Sequence, residues 1–439
     1  MVFLIKALQL ILSLSILVIL HEFGHFLFAR IFKTRVEKFY LFFNPGFSLF
    51  KFKKGETEYG MGWLPLGGYV KISGMIDESM DKEQMNQPAQ PWEFRAKPAW
   101  QRLLIMVGGV LINFILALFI FWMILFKWGE TYVPVEGAMY GLSYHSLGQE
   151  IGLQDGDKVL AVDTFEVEVA SDIQRYILLE EPSQLTVQRG DSVFDLSLPV
   201  EFGQRLLAED VKQFAQYRIP FVVDSVLEGM PAEKAGIQKG DSLVGVAGQE
   251  APFFHSFVNE LVKHTGETTT ISFYRNGELM SVPVAVNKSG KIGIGNRSPH
   301  NYLDIRRHTY GFFEAFPAGM KKGVNILVGY VKQLRLIFTK EGAQKVGGFG
   351  TIGNLFPASW DWSSFWYTTG LLSLILAFMN ILPIPALDGG HVLFLMYEIV
   401  TGRKPSEKFL EHAQLVGMIL LLALLLYANG NDIFRWLFD

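Results

Sequence analysis

Four long apolar runs decide most of what this chain can become. Residues 7–29 hold the first, interrupted only near its end, and 103–126 hold the second, apolar except for Asn113. Residues 365–382 and 413–428 are shorter and almost uncharged. At about 1.5 Å of helical rise per residue, such runs cross about 30 Å of hydrocarbon, the last with help from its flanks. A soluble core rarely holds charge-free helices of this length. The expected fold is therefore a polytopic α-helical membrane protein with four transmembrane helices. A cleaved leader does not fit the first run, which has no small-residue cleavage site and continues into His21 and Glu22.

Flanking cations orient the spans. Arg30, Lys33, Arg35, Lys38, Lys51, Lys53 and Lys54 follow the first run, and Arg95, Lys97 and Arg102 precede the second. Lys6 stands alone ahead of the first, while Arg403, Lys404 and Lys408 follow the third. The positive-inside rule then puts both termini and residues 127–364 outside, and 30–102 in the cytoplasm. The net charge of −4 gives no argument for nucleic acid. With no cysteine in the chain, thiol catalysis, disulfides and cysteine-bound metal are excluded.

The long outer segment repeats itself. Ile151-Gly-Leu-Gln-Asp-Gly-Asp157 aligns with Ala235-Gly-Ile-Gln-Lys-Gly-Asp241, 84 residues on, and each precedes a Val-rich strand. The spacing suits two small α+β domains, read as 128–210 and 211–292. The Gly-Asp turn between a short helix and a strand resembles the permuted PDZ domain of bacterial envelope proteases. Beyond them, 293–362 is read as membrane-surface helices. Apolar Gly323–Val331 is bracketed by Lys321, Lys322, Lys332 and Arg335, and nine residues reach only about 14 Å as helix. Between the first two spans (read as 1–34 and 99–127), residues 35–98 form a cytoplasmic, membrane-associated β-hairpin region. Its run Glu58–Ile72 mixes aromatics with Gly and Pro65, the signature of an edge strand, and 77–91 reads as a polar loop. The remaining spans lie in 363–402 and 403–439.

His21-Glu-Phe-Gly-His25 carries the chemistry. Histidines four apart share one helix face, about 6 Å apart along the axis, so both imidazoles can reach one ion. Glu22 beside them is placed to take a proton from the attacking water. Ionisable groups within an apolar span are costly and usually functional. A catalytic zinc needs a third protein ligand, and the best candidate is Asp388 in Asn380-Ile-Leu-Pro-Ile-Pro-Ala-Leu-Asp-Gly-Gly-His391. His391 is its rival.

These motifs, with Pro65-Leu-Gly-Gly-Tyr-Val70 and the paired PDZ-like units, resemble the site-2 protease family of intramembrane zinc metalloproteases over the whole chain. The resemblance implies that Zn2+ is bound by His21, His25 and Asp388, with Glu22 as general base. It implies that Asn380 holds the substrate strand, and the strip Leu66, Gly67, Gly68, Tyr69 and Val70 offers an edge for it. The implied setting is the bacterial inner membrane. The implied substrates are single-pass membrane proteins already trimmed outside, of the anti-sigma-factor type, with remnant signal peptides as a second class; the lipid bilayer is the other partner.

Overall fold

A computed structural model describes residues 2–65, 67–75 and 88–438. Leu66 and most of the polar loop expected at 77–91 lie outside them. The chain divides into two compact units, Met1–Gly129 with Thr309–Asp439, and Glu130–His308.

The first unit is helical. Its helices include α1 (Val2–Ile31), α2 (Ala99–Trp128), α3 (Phe312–Ile337), α4 (Phe349–Asn354), α5 (Trp362–Ile381), α6 (Asp388–Thr401) and α7 (Glu407–Phe438). Among the described residues, α1, α2, α5 and α7 are long and apolar enough to cross a membrane. Gln9, Ser13, Leu17, His25 and Ala29 are buried on α1, at multiples of four residues, so one face turns inward. Lipid tails are as apolar as leucine, so close packing and interhelical hydrogen bonds must hold such helices together. Both are present. A Cβ on Gly24 would lie 2.2 Å from the Gly108 carbonyl oxygen, which means that α1 and α2 touch backbone to backbone. Thr369 Oγ1 donates to Ser13 Oγ at 3.0 Å between α5 and α1.

The third apolar run is broken between Ile381 and Asp388. Pro383 and Pro385 cannot supply the amides that a continuous helix needs. The chain turns through Ala386, at φ 77°, and restarts as α6. A Cβ on Gly389 would lie 2.1 Å from Leu382 O, so only glycine lets the linker fold back on the first turn of α6.

Helix α3 departs from the sequence reading. Instead of nine residues around Gly323–Val331, it has 26 and packs along α2. Gly319 sits on the backbone at Phe121–Trp122 and Gly323 on Leu118, while Tyr330 meets Phe378 of α5 edge to face. The lysines that suggested a short helix fall on exposed or half-exposed positions, so they do not end it.

Four strands follow α1: β1 (Val36–Leu41), β2 (Phe50–Lys54), β3 (Thr57–Met61) and β4 (Tyr69–Ile72). They form one sheet in the order β2-β3-β1-β4. The β2–β3 hairpin turns through Gly55 and Glu56, with Gly55 at φ 64°. Strand β1 runs parallel to β3 and antiparallel to β4, which leaves β4 at an edge of the sheet. Phe26 of α1 packs against Phe39 and Tyr59, which ties the sheet to the helix that carries both histidines.

The second unit holds two hydrophobic cores, one for each sequence repeat. The first runs from Val135 to Ala215 and the second from Phe221 to Ile292. The repeats share an anchor. Arg189 donates from Nε and a terminal nitrogen to Asp157 (2.8 and 2.7 Å), and Arg275 does the same to Asp241 at the same distances. Each aspartate also accepts a backbone N–H three residues earlier, from Gln154 or Gln238. The borders differ from those read in the sequence. Val211, Phe214 and Ala215 belong to the first core, past 210. Beyond 292, Ile294–Asn296 pairs with Phe221–Val226, and Arg306–His308 pairs with Glu130–Tyr132. Strands of three residues leave no periodic signal in a sequence.

Candidate metal centre

His21 and His25 project from the inward face of α1, and Asp388 opens α6, where the helix N-terminus favours a carboxylate. The structure brings these three together, each offering one ligand atom within 4.8 Å of the others. Asp388 Oδ2 lies 3.2 Å from His21 Nε2 and 3.3 Å from His25 Nε2, and the two Nε2 atoms are 3.3 Å apart. His391, the rival ligand, stands outside this cluster and lines the cavity beside it.

The tautomer of His25 follows from its partner. Its Nδ1 lies 2.9 Å from the Ile105 carbonyl oxygen, which can only accept, so Nδ1 carries the proton and Nε2 presents a lone pair. Asp388 Oδ2 is buried and has no hydrogen-bond partner. Lone pairs of Asp388 and His25 thus face each other, and His21 Nε2 completes a nearly equilateral triangle with them. One proton could satisfy a single edge of it; a cation satisfies all three. Tetrahedral ligands at about 2.0–2.1 Å from zinc stand about 3.3–3.4 Å apart, which matches the observed edges. The donor set fits a zinc ion with a fourth position left open.

Helix α2 shapes the back of the site. A Cβ on Gly109 would lie 2.4 Å from His25 Nε2 and 2.7 Å from His21 Cε1, so the imidazoles occupy the space a side chain would fill. The amide nitrogen of Asn113 is 3.4 Å from His21 Nδ1, and that of Asn380 is 3.5 Å from His21 Nε2. Asn113 entered the sequence reading only as an interruption of an apolar run. The signal that could have found it was its spacing, four residues after Gly109 on the same helix face.

The triad opens into a cavity of about 530 Å3, all within the first unit. Glu22, Asn380, Gly68, Tyr69 and Val70 line it, as do Lys38 and Lys71. Gly68 packs against α1: a Cβ there would meet Val18 Cγ1 at 2.7 Å and Glu22 Cγ at 3.6 Å. Gly67 comes just before it, at φ 156°. The chain leading into the edge strand β4 therefore passes directly beside the Glu22 side chain.

Two histidines within reach of a single ion on a membrane-length helix, with a carboxylate from a second helix, are the pattern expected of a membrane-embedded metallopeptidase. Comparison with known proteins agrees. The model of peptidase family M50 matches residues 9–424, and the chain belongs to that family. It is similar to the regulator of sigma E protease of Haemophilus influenzae, 28% identical over 97% of this chain and 98% of that one. It is also similar to the regulator of sigma-E protease RseP of Escherichia coli, 29% identical over 97% of each. The protein is a zinc metalloprotease of the membrane.

Proposed function

We propose that this enzyme is an endopeptidase that cuts the transmembrane segment of single-pass membrane proteins already trimmed on the outside. The observation that carries the reading is one cavity lined by His21, His25, Asp388 and Glu22 and bordered by β4, an edge strand among the described residues. The names of the Haemophilus and Escherichia relatives refer to regulation of sigma E. On that likeness the main substrates are of the anti-sigma-factor type, with remnant signal peptides as a second class.

His21, His25 and Asp388 hold the zinc in this reading. A zinc ion there supplies Lewis acidity, making a water more acidic and polarising the scissile carbonyl. Glu22 accepts the proton from the attacking water and returns it to the leaving nitrogen. Helical carbonyls are tied up in their own ladder, so the substrate must unwind before attack. An extended substrate can then add to the edge of β4 and the residues just before it, where Gly67, Gly68, Tyr69 and Val70 offer backbone. The amide of Asn380 can donate to that strand and accept from it.

The four apolar helices are the spans of a bacterial inner-membrane protein in this proposal. Both termini and the unit 130–308 lie in the periplasm, and its two repeats are PDZ-like domains; the sheet β1–β4 lies in the cytoplasm. The test of the whole reading is Glu22→Gln, which keeps the shape but removes the proton acceptor. Zinc content should match wild type while cleavage of a trimmed single-pass substrate stops. Near-wild-type cleavage by the purified variant would overturn it.

A further inference from the structure

The two histidines are not equally held. The Ile105 carbonyl takes the Nδ1–H of His25 and so fixes its tautomer. His21 needs an equivalent acceptor, because a metal at Nε2 leaves the proton on Nδ1. The group that faces His21 Nδ1 is the side-chain amide of Asn113, 3.4 Å away. Asn113 is fully buried, and its Oδ1 has no hydrogen-bond partner.

Ile105, Gly109 and Asn113 are four residues apart, so a single face of α2 meets both rings. It presents a carbonyl to His25, an empty Cβ position beneath the pair, and a carboxamide to His21. The backbone at Asn113 is held independently, since Ser373 Oγ donates to Asn113 O at 2.7 Å. That bond needs no particular side chain at 113. A carboxamide inside an apolar span is costly, and packing alone would favour leucine there.

With its nitrogen toward His21, the amide sets donor against donor once Nδ1 carries a proton, and it leaves Oδ1 without a partner. A half-turn about the Cβ–Cγ bond exchanges the two amide atoms. Resting on the ligand set proposed above, we infer that Asn113 is a positioning residue of the metal centre. Its carboxamide oxygen accepts the Nδ1–H of His21 and keeps Nε2 turned toward the ion.

The test uses the full-length protein in detergent, with zinc itself as the probe, titrated against a competing chelator. Asn113→Leu removes the acceptor and should weaken zinc binding about 10- to 100-fold. Asn113→Asp offers only acceptors and should bind within a few-fold of wild type. Cobalt substitution gives a second readout: the ligand-field bands should shift in Asn113→Leu and stay in place in Asn113→Asp. Wild-type zinc binding by Asn113→Leu would overturn the inference. So would an equal loss in both variants, because a donor role predicts that pattern. If Asn113→Leu does not accumulate in membranes, Asn113→Ala decides the same comparison. His21→Ala separates the two levels of argument: tight zinc binding by that variant would refute the ligand set itself, whatever Asn113 does.

Discussion

Adding one methyl group at Gly109 should empty the metal centre without unfolding the protein. The new Cβ would stand 2.4 Å from His25 Nε2, 2.7 Å from His21 Cε1 and 2.9 Å from His21 Nδ1. Comfortable contact needs about 3.5 Å, so the shortfall at His25 is about 1 Å. Sliding α1 away would give up the close backbone packing at Gly24 and Gly108. The imidazoles must move instead, and a metal site tolerates displacements of only about 0.2 Å. Two effects oppose each other in the fold itself. Alanine favours the helix over glycine by about 1 kcal/mol, while overpacking costs about 1–3 kcal/mol. The net cost to the fold is about 0–2 kcal/mol, which leaves the ligand geometry as the main casualty. A displacement of 1 Å at a reacting centre costs about 100-fold, so zinc affinity and activity should both fall by at least that much. Chelator competition on detergent-purified Gly109→Ala measures the first, and the melting temperature of the apoprotein checks the fold. Gly329→Ala is the control: it too is a helical glycine, with nothing within 4 Å of its added Cβ, and should leave zinc binding unchanged. Wild-type zinc affinity in Gly109→Ala would refute the reasoning, and so would an equal loss in Gly329→Ala.

Asp388→Ala should cost zinc occupancy and activity together, while His391→Ala keeps most of its zinc; metal analysis showing the reverse would make His391 the ligand. Burial alone would raise the Asp241 carboxyl, but hydrogen bonds from Arg275 and the Gln238 N–H outweigh it and hold the group below its ordinary value. A depressed carboxyl stabilises the fold above the unfolded value of about 3.9, and that contribution is lost as pH falls through the lower folded value. Hydrogen-exchange protection factors in 130–308 should therefore fall below about pH 4. Asp241→Asn should flatten this acid limb and lower stability at pH 7, and an unchanged limb would count against the pairing. Cysteines introduced into this cysteine-free chain should label from one side only: Ser192→Cys from outside and Lys54→Cys from the cytoplasm. Labelling of Lys54→Cys from outside would invert the topology.

The sequence by itself settled whatever depends on local period. A helix of 3.6 residues per turn brings His21 and His25 to one face wherever α1 lies, and charge-free runs long enough to span hydrocarbon announce themselves. The internal repeat was legible for the same reason, since one Asp–Arg anchor serves two domains and leaves its turn in both. Other features needed the folded chain. Asp388 was only the best of two candidates until the prolines after Ile381 and the fold-back at Gly389 brought it to the histidines. Helix α3 was misread as nine residues because its lysines look like ends; packing along α2 carries the helix past them. Asn113 looked like a blemish in an apolar run. Whether a buried amide is a defect or part of a metal site depends on which atom of another helix faces it. That is set by how closely α1 and α2 approach at Gly24 and Gly108, a three-dimensional fact that no single-segment pattern contains.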